Sequence, residues 1–198
     1  MNLLAHAYLS FGQPEILVGN MISDYVKGKK KLSYSPGIQK GITLHRAIDE
    51  FTDNHEATKE AKKYFRETYH LYAGAFVDIV YDHFLANDVN EFENEIVQSV
   101  FCRDTYKTLE AYKEVMPENF SSMLPYMQAQ NWLYNYRYKE GIERSFEGLV
   151  RRSAYLKESV VAFEIFNAEH ENFRQCYTAF FPSLKSFAIH KLNELNKT

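Results

Sequence analysis

Apolar residues recur along the chain at three- and four-residue intervals, and no stretch alternates strictly with a two-residue period between turn signals. The pattern predicts helices. Pro14 followed by Glu15 opens one that runs to about Lys27, where Gly28 and a lysine run end it. Ser35 and Pro36 form an N-cap and first-turn pair for a helix to about Thr52. Asp53, with Glu56 three residues on, has the spacing of a capping box and predicts a long helical stretch through Leu85, adjusted near Gly74. Beyond Asn87 and Asp88, amphipathic segments fall at about 90–101, 103–115, 118–137, 141–155 and 158–180, and a last helix follows Pro182. The expected fold is all-α: a single compact multi-helix domain over residues 1–198, with no internal repeat and no linker.

Composition narrows this further. A chain of 198 residues that is 45% hydrophobic and 25% charged can bury an ordinary core, which excludes disorder and a collagen-like structure. Only eight glycines and five prolines are present, too few for a sandwich or barrel of many short strands. Five of the glycines, Gly12, Gly19, Gly28, Gly37 and Gly41, precede residue 42. The two cysteines, Cys102 and Cys176, have no metal-binding spacing and suit a reducing compartment. The N-terminal stretch lacks a basic n-region and is interrupted by His6 and Asn20, and no apolar run reaches membrane-spanning length. A cytoplasmic protein without membrane contact is expected.

The candidate chemistry lies in a repeated spacing. Asn2 and His6, Asn20 and Asp24, His45 and Asp49, and Asp78 and Asp82 are all separated by four residues, so each pair shares a helix face. Their segments, NLLAHAYL, EILVGNMISDYV, GITLHRAI and AFVDIVYDHFLA, are otherwise strongly apolar. One such pair is readily an exposed ion pair, and a lone histidine is ordinarily a hydrogen-bonded core or surface residue. Four pairs in apolar surroundings point instead to a shared polar site. Buried carboxylates need partners, and Arg46 is the obvious cation for only one of Asp24, Asp49, Asp78 and Asp82. A divalent metal satisfies several at once, and histidine nitrogen with carboxylate oxygen suits manganese, magnesium, iron or zinc.

The blocks MNLLAHAYLS, LVGNMISDYVKG, GITLHRAIDEFTDNH, AGAFVDIVYDHFLA, MLPYM, NWL and GIERSFEGLVRR, in this order from residue 1 to about 152, resemble the acyl carrier protein phosphodiesterase family. The resemblance implies an all-helical fold distantly similar to HD-domain phosphohydrolases and a metal-dependent activity, usually with manganese. The implied reaction is hydrolysis of the phosphodiester joining 4'-phosphopantetheine to a serine of holo-acyl carrier protein, which becomes the apo-protein. One departure from HD proteins is that Asp82 precedes His83, so the order is not the His-Asp doublet. Combined with the spacing, the resemblance points to His6, Asp24, His45 and Asp82 as metal ligands. Asp49, Asp78 and His83 are then further ligands, orienting groups or the general base, and Arg46 steadies the phosphate. Asn2 and Asn20 are candidate hydrogen-bond partners of the ligands.

The net charge of −3 conceals a gradient, because residues 1–46 hold six basic residues against Glu15 and Asp24. A solvated lysine-rich loop is the plain explanation. The family's substrate is a small acidic protein, however, so Lys27, Lys29, Lys30, Lys31 and Lys40 become candidate docking residues, with Arg144, Arg151 and Arg152 a second group. Nucleic acid is disfavoured by a short basic stretch on an acidic chain. Two rival readings share the helical fold: an HD-like phosphohydrolase of a nucleotide or other small phosphate ester, and a non-catalytic carrier-protein-binding protein. No glycine-rich phosphate loop supports the nucleotide reading.

Overall fold

Helix α5 (Ala73–Ala86) is the axis of the core, and every residue from Phe76 to Ala86 is buried except Asp78, which is half-buried. Its sequence, AGAFVDIVYDHFLA, is apolar almost all round, as a helix covered on several sides must be. The computed structural model describes residues 1–197; among these, helices and turns are present and strands are not. Around α5 pack α1 (Leu3–Tyr8), α4 (Glu56–Tyr69), α9 (Lys139–Arg152) and α11 (His170–Lys197). Phe65 of α4 stacks on Phe76 and on Phe173 with ring centroids 5.3 and 5.2 Å apart, and Phe146 of α9 meets Phe76 edge-on at 5.1 Å. The remaining α-helices are α2 (Pro14–Ile22), α3 (Pro36–Asn54), α6 (Glu95–Ala111), α7 (Glu118–Ala129), α8 (Trp132–Asn135) and α10 (Val160–Ala168).

Several expected boundaries shift for identifiable reasons. The first long helix stops at Ile22, and the chain reaches Ser35 through two short 3-10 segments, Ser23–Tyr25 and Gly28–Ser33, with Gly28 at φ 57°. Asp53 is inside α3 and caps nothing; His55 caps α4, its Nδ1 accepting from the Ala57 N–H at 3.2 Å. The stretch expected to continue from there to Leu85 breaks at His70, which takes φ 45° between α4 and α5. The 90–101 and 103–115 segments merge into α6, and α11 continues across Pro182. The Ser35–Pro36 start of α3 stands as read, with Ser35 Oγ accepting from the Ile38 N–H at 3.5 Å.

Helices α2 and α3 cross at close range, and glycine makes it possible. A Cβ added to Gly19 would lie 2.1 Å from the Ile38 carbonyl, and one added to Gly41 would lie 2.3 Å from the Ile16 carbonyl. Gly37 and Gly41 both lie within α3, and Gly41 meets Gly19 across the crossing. A second constraint fixes α1. Both oxygens of Asp82 on α5 accept backbone N–H groups, Leu4 at 2.7 Å and Ala5 at 3.1 Å, so a buried carboxylate caps a helix far away in sequence.

Gly41→Ala is expected to lower stability by about 1–3 kcal/mol, since the new methyl forces two backbones apart. Thermal and urea unfolding of the variant checks this, and an unchanged midpoint would show that the crossing is not tightly set.

Candidate functional site

The α2–α3 crossing and the cap on α1 together bring three helices to one point. His6 of α1 and His45 of α3 stack with ring centroids 3.9 Å apart and planes inclined by 16°. Asn20 of α2 holds both rings. Its side-chain Nδ2 donates to the His6 carbonyl at 2.8 Å and to Ser10 Oγ at 3.1 Å, which leaves Oδ1 as an acceptor for His6 Nδ1 at 2.8 Å. Its backbone carbonyl accepts from His45 Nδ1 at 2.7 Å. With a proton fixed on each Nδ1, each Nε2 of the neutral rings presents a lone pair in the same direction.

Carboxylates face those lone pairs. Asp49, one turn beyond His45 on α3, has Oδ1 3.2 Å from His6 Nε2 and Oδ2 3.0 Å from His45 Nε2. Asp24, in the short segment after α2, has Oδ1 3.1 Å from His45 Nε2. His6 Nε2 is buried and makes no well-aligned hydrogen bond. Without a metal, a proton on one of the rings supplies positive charge between them and the carboxylates. Burial opposes a charge on His45, but hydrogen bonds to Asp24 and Asp49 raise its pKa to about 9. Burial, followed by the charge of His45, lowers that of His6 to about 4. Burial also works to raise Asp49, yet the hydrogen bond from His45, with the charge of the Met1 amino group beside it, holds it well below the usual carboxylate range. Asp24 is lowered chiefly by its hydrogen bond with His45.

These groups fit a divalent ion. His6, His45 and Asp49 offer ligand atoms that all lie within 4.8 Å of one another. Two imidazole nitrogens and carboxylate oxygen form a donor set for a first-row divalent metal. Over the two histidines opens a cavity of about 160 Å³ whose wall includes Asp24, Tyr25, Met123, Trp132 and Arg152.

Of the four residues expected as ligands, His6, Asp24 and His45 come together and Asp82 does not, because its oxygens are committed to the first turn of α1. Burial raises the Asp82 carboxyl to about 7, against the pull of the Leu4 N–H. Asp49, expected as a catalytic candidate, occupies the position that Asp82 was expected to fill. Asp78 stands beside the trio rather than in it, 3.1 Å from the Met1 amino group, which is also 3.3 Å from Asp49. Burial works to lower that amine's pKa, and the two carboxylates outweigh it and raise it to about 10. His83 faces elsewhere, with Nδ1 2.8 Å from the Tyr136 carbonyl and Nε2 3.4 Å from His170 Nε2. Arg46 donates to the Val26 carbonyl at 3.0 Å, tying down the segment after Asp24, and does not line the cavity.

Asn20 hydrogen-bonds both histidines, whereas Asn2 donates to Tyr136 Oη at 2.9 Å. Among the lysines, Lys27, Lys29 and Lys30 are exposed, Lys31 donates to Thr43, and Lys40 is half-buried; none lines the cavity. The basic residue that does is Arg152. Neither it nor Trp132 was placed by the sequence, since both lie far along the chain from the histidines.

Two oriented imidazoles and two carboxylates at the mouth of a small cavity make this a helical protein with a candidate divalent-metal site. The chain belongs to the acyl carrier protein phosphodiesterase family, whose family model matches residues 1–184. The family name denotes an enzyme, a phosphodiester hydrolase. Similar proteins bearing that name include one from Yersinia enterocolitica, 28% identical over 191 residues that cover 96% of this chain and 99% of the relative. One from Photorhabdus laumondii is 28% identical, with 96% of each chain covered, and one from Salmonella agona is 26% identical, with 96% and 99% covered. No solved structure matches the chain. No helix among the described residues is long and apolar enough to cross a membrane.

The raised pKa of His45 sets a pH dependence in metal-free protein. His45 keeps its proton when folded up to about 9, against 6.5 for the ordinary side chain, so its contribution is full below 6.5 and is lost as pH rises through 9. The Met1 amine acts with the same sign at the upper end. Thermal unfolding with a chelator is expected to show stability falling across this window, and saturating divalent metal should flatten the curve. A rise in chelator would contradict this charge assignment.

Proposed function

We propose that the chain hydrolyses the phosphodiester between 4'-phosphopantetheine and a serine of holo-acyl carrier protein, with a divalent metal, manganese foremost, held by His6, His45, Asp49 and Asp24. Family membership supplies the reaction class and the name of the substrate protein. The observation that carries the reading to particular residues is the pair of Nε2 atoms, His6 and His45, turned by Asn20 toward the two carboxylates. This histidine and aspartate chemistry is also what a distant likeness to HD-domain phosphohydrolases calls for.

In the reaction a water oxygen bonds to phosphorus, the bond from phosphorus to the serine oxygen breaks, and that oxygen leaves with a proton. Bound at the trio, a divalent cation supplies positive charge to phosphoryl oxygens and acidity to water. The chain's own residues supply the rest. Asn20 keeps both rings in the tautomer that presents Nε2. Asp49 spans both rings, and Asp24 stands at the mouth, 77% exposed and ionised, where solvent and substrate enter. The Met1 amine and Asp78 neutralise one another behind Asp49. Arg152 puts a fixed positive charge on the cavity wall. The exposed Lys27, Lys29 and Lys30, a few residues beyond Asp24, extend the positive surface for an acidic partner. The cytoplasm, where a carrier protein is met and where the unpaired Cys102 and Cys176 stay reduced, is the compartment that fits.

Intact-mass measurement of holo-acyl carrier protein incubated with the protein tests this reading. Loss of the prosthetic group is expected with manganese and not with chelator. His45→Ala is expected to abolish it, and Asn20→Ala, which frees His6 but leaves the backbone anchor of His45, to weaken metal affinity about 10- to 100-fold. No loss with any divalent ion, or undiminished loss in chelator, would overturn the reading.

A further inference from the structure

The cavity over the histidines does not end at Arg152. Beside it lies a groove of about 340 Å³ between α8 and α9, and Asn2, Leu3, Trp132 and Arg152 line both spaces. That volume lies within the range of small-molecule sites. The α9 wall of the groove has an unusual composition. Gly141, Ser145 and Gly148 succeed one another at four- and three-residue spacing on one helix face, and all three line the groove, with Arg144, Arg151 and Arg152 beside them.

The arginines are uncommitted. Arg103, Arg137 and Arg174 each lie within ion-pair distance of a carboxylate, at Asp104, Glu95 and Glu171. Arg144, Arg151 and Arg152 have no such partner among the described residues, although Glu147 lines the same groove. Gly148 lies against both of the last two, for a Cβ there would be in van der Waals contact with Arg152 Nη1 at 3.6 Å and Arg151 Nη2 at 3.9 Å. Three unpaired guanidiniums around a narrow groove, one of them at its junction with a candidate metal site, attract an anion whose remainder is long and mostly uncharged. The facing wall suits that remainder, with the apolar Leu3 and Ile79 and the half-buried indole of Trp132, whose Nε1–H donates to Gln130 Oε1 at 2.9 Å.

We propose that this groove is the subsite for the phosphopantetheine arm, with the phosphate at Arg152 and the pantetheine chain running along Gly148, Ser145 and Gly141 against Trp132. This rests on the reading that the substrate is holo-acyl carrier protein. The arm carries its charge at the phosphate and is otherwise a linear chain of amides and alkyl groups, which matches a groove with one guanidinium, Arg152, at its junction with the candidate metal site and small residues along its wall. Arg144 and Arg151 extend the positive field along the path of entry.

Trp132 is the only tryptophan in the chain, so its fluorescence reports the groove directly. Titrating the whole protein with 4'-phosphopantetheine is expected to change its emission saturably, with pantetheine binding at least tenfold more weakly for want of the phosphate. Arg152→Ala should weaken 4'-phosphopantetheine at least tenfold, and Gly148→Leu, which fills the groove, should abolish the signal and raise KM for holo-acyl carrier protein at least tenfold. Circular dichroism of each variant controls for folding. If the wild-type protein strips holo-carrier protein while its emission ignores 4'-phosphopantetheine and Gly148→Leu keeps the wild-type KM, the groove assignment is overturned and the reaction stands. If emission responds as expected but no prosthetic group is released with any divalent ion, the groove assignment stands and the reaction reading is overturned.

Discussion

One asparagine sets two imidazole rings, and the polar centre of this protein follows from that. Asn20 accepts from His6 through its side chain and from His45 through its backbone, so neither ring can turn without losing a buried hydrogen bond. The consequence is electrostatic. Two nitrogen lone pairs and the carboxylates of Asp49 and Asp24 converge, a cluster of acceptors that is stable only around a cation. A proton on His45 meets that need in part, which is why its pKa climbs to about 9 while that of His6 falls to about 4. A divalent ion held there would meet it for both rings at once.

The surrounding fold is organised to hold those three helices in register. Gly19 and Gly41 let α2 and α3 approach until the Asn20 carbonyl reaches His45. Asp82 anchors the first turn of α1 to the central helix, and the stretch of α1 that follows carries His6. Asp78 and the Met1 amine close the back of the site as a compensated pair. Residues without contact with a substrate thus determine whether the ligand atoms meet.

Most of this was legible in the sequence where local spacing controls the outcome. His45 and Asp49 sit one helical turn apart and do meet, and His6, Asn20 and Asp24 stood out as polar residues in apolar segments because burial makes such positions costly. Asp82 stood out for the same reason and was assigned the wrong partner. A buried aspartate needs positive partners whether they belong to a metal or to the exposed N–H groups of a helix end, and only the position of α1 in space distinguishes the two. Asp53 and His55 show a similar limit, since capping-box spacing cannot reveal that α3 runs two residues further and hands the cap to a histidine. The early glycines were visible as a cluster, but their use at a helix crossing depended on which helices touch. The arginines of α9 could not be placed beside His6 from a separation of well over a hundred residues, whereas the lysines close in sequence to Asp24 turned out not to line its cavity.

The shared-cation arrangement of His6 and His45 is tested most directly by electron spin-echo envelope modulation of the protein carrying one equivalent of manganese. Couplings from two imidazole nitrogens are expected, with one set lost in His6→Ala and the other in His45→Ala. A spectrum without imidazole nitrogen couplings, or one unchanged by either substitution, would contradict the claim that the two rings hold a single metal ion.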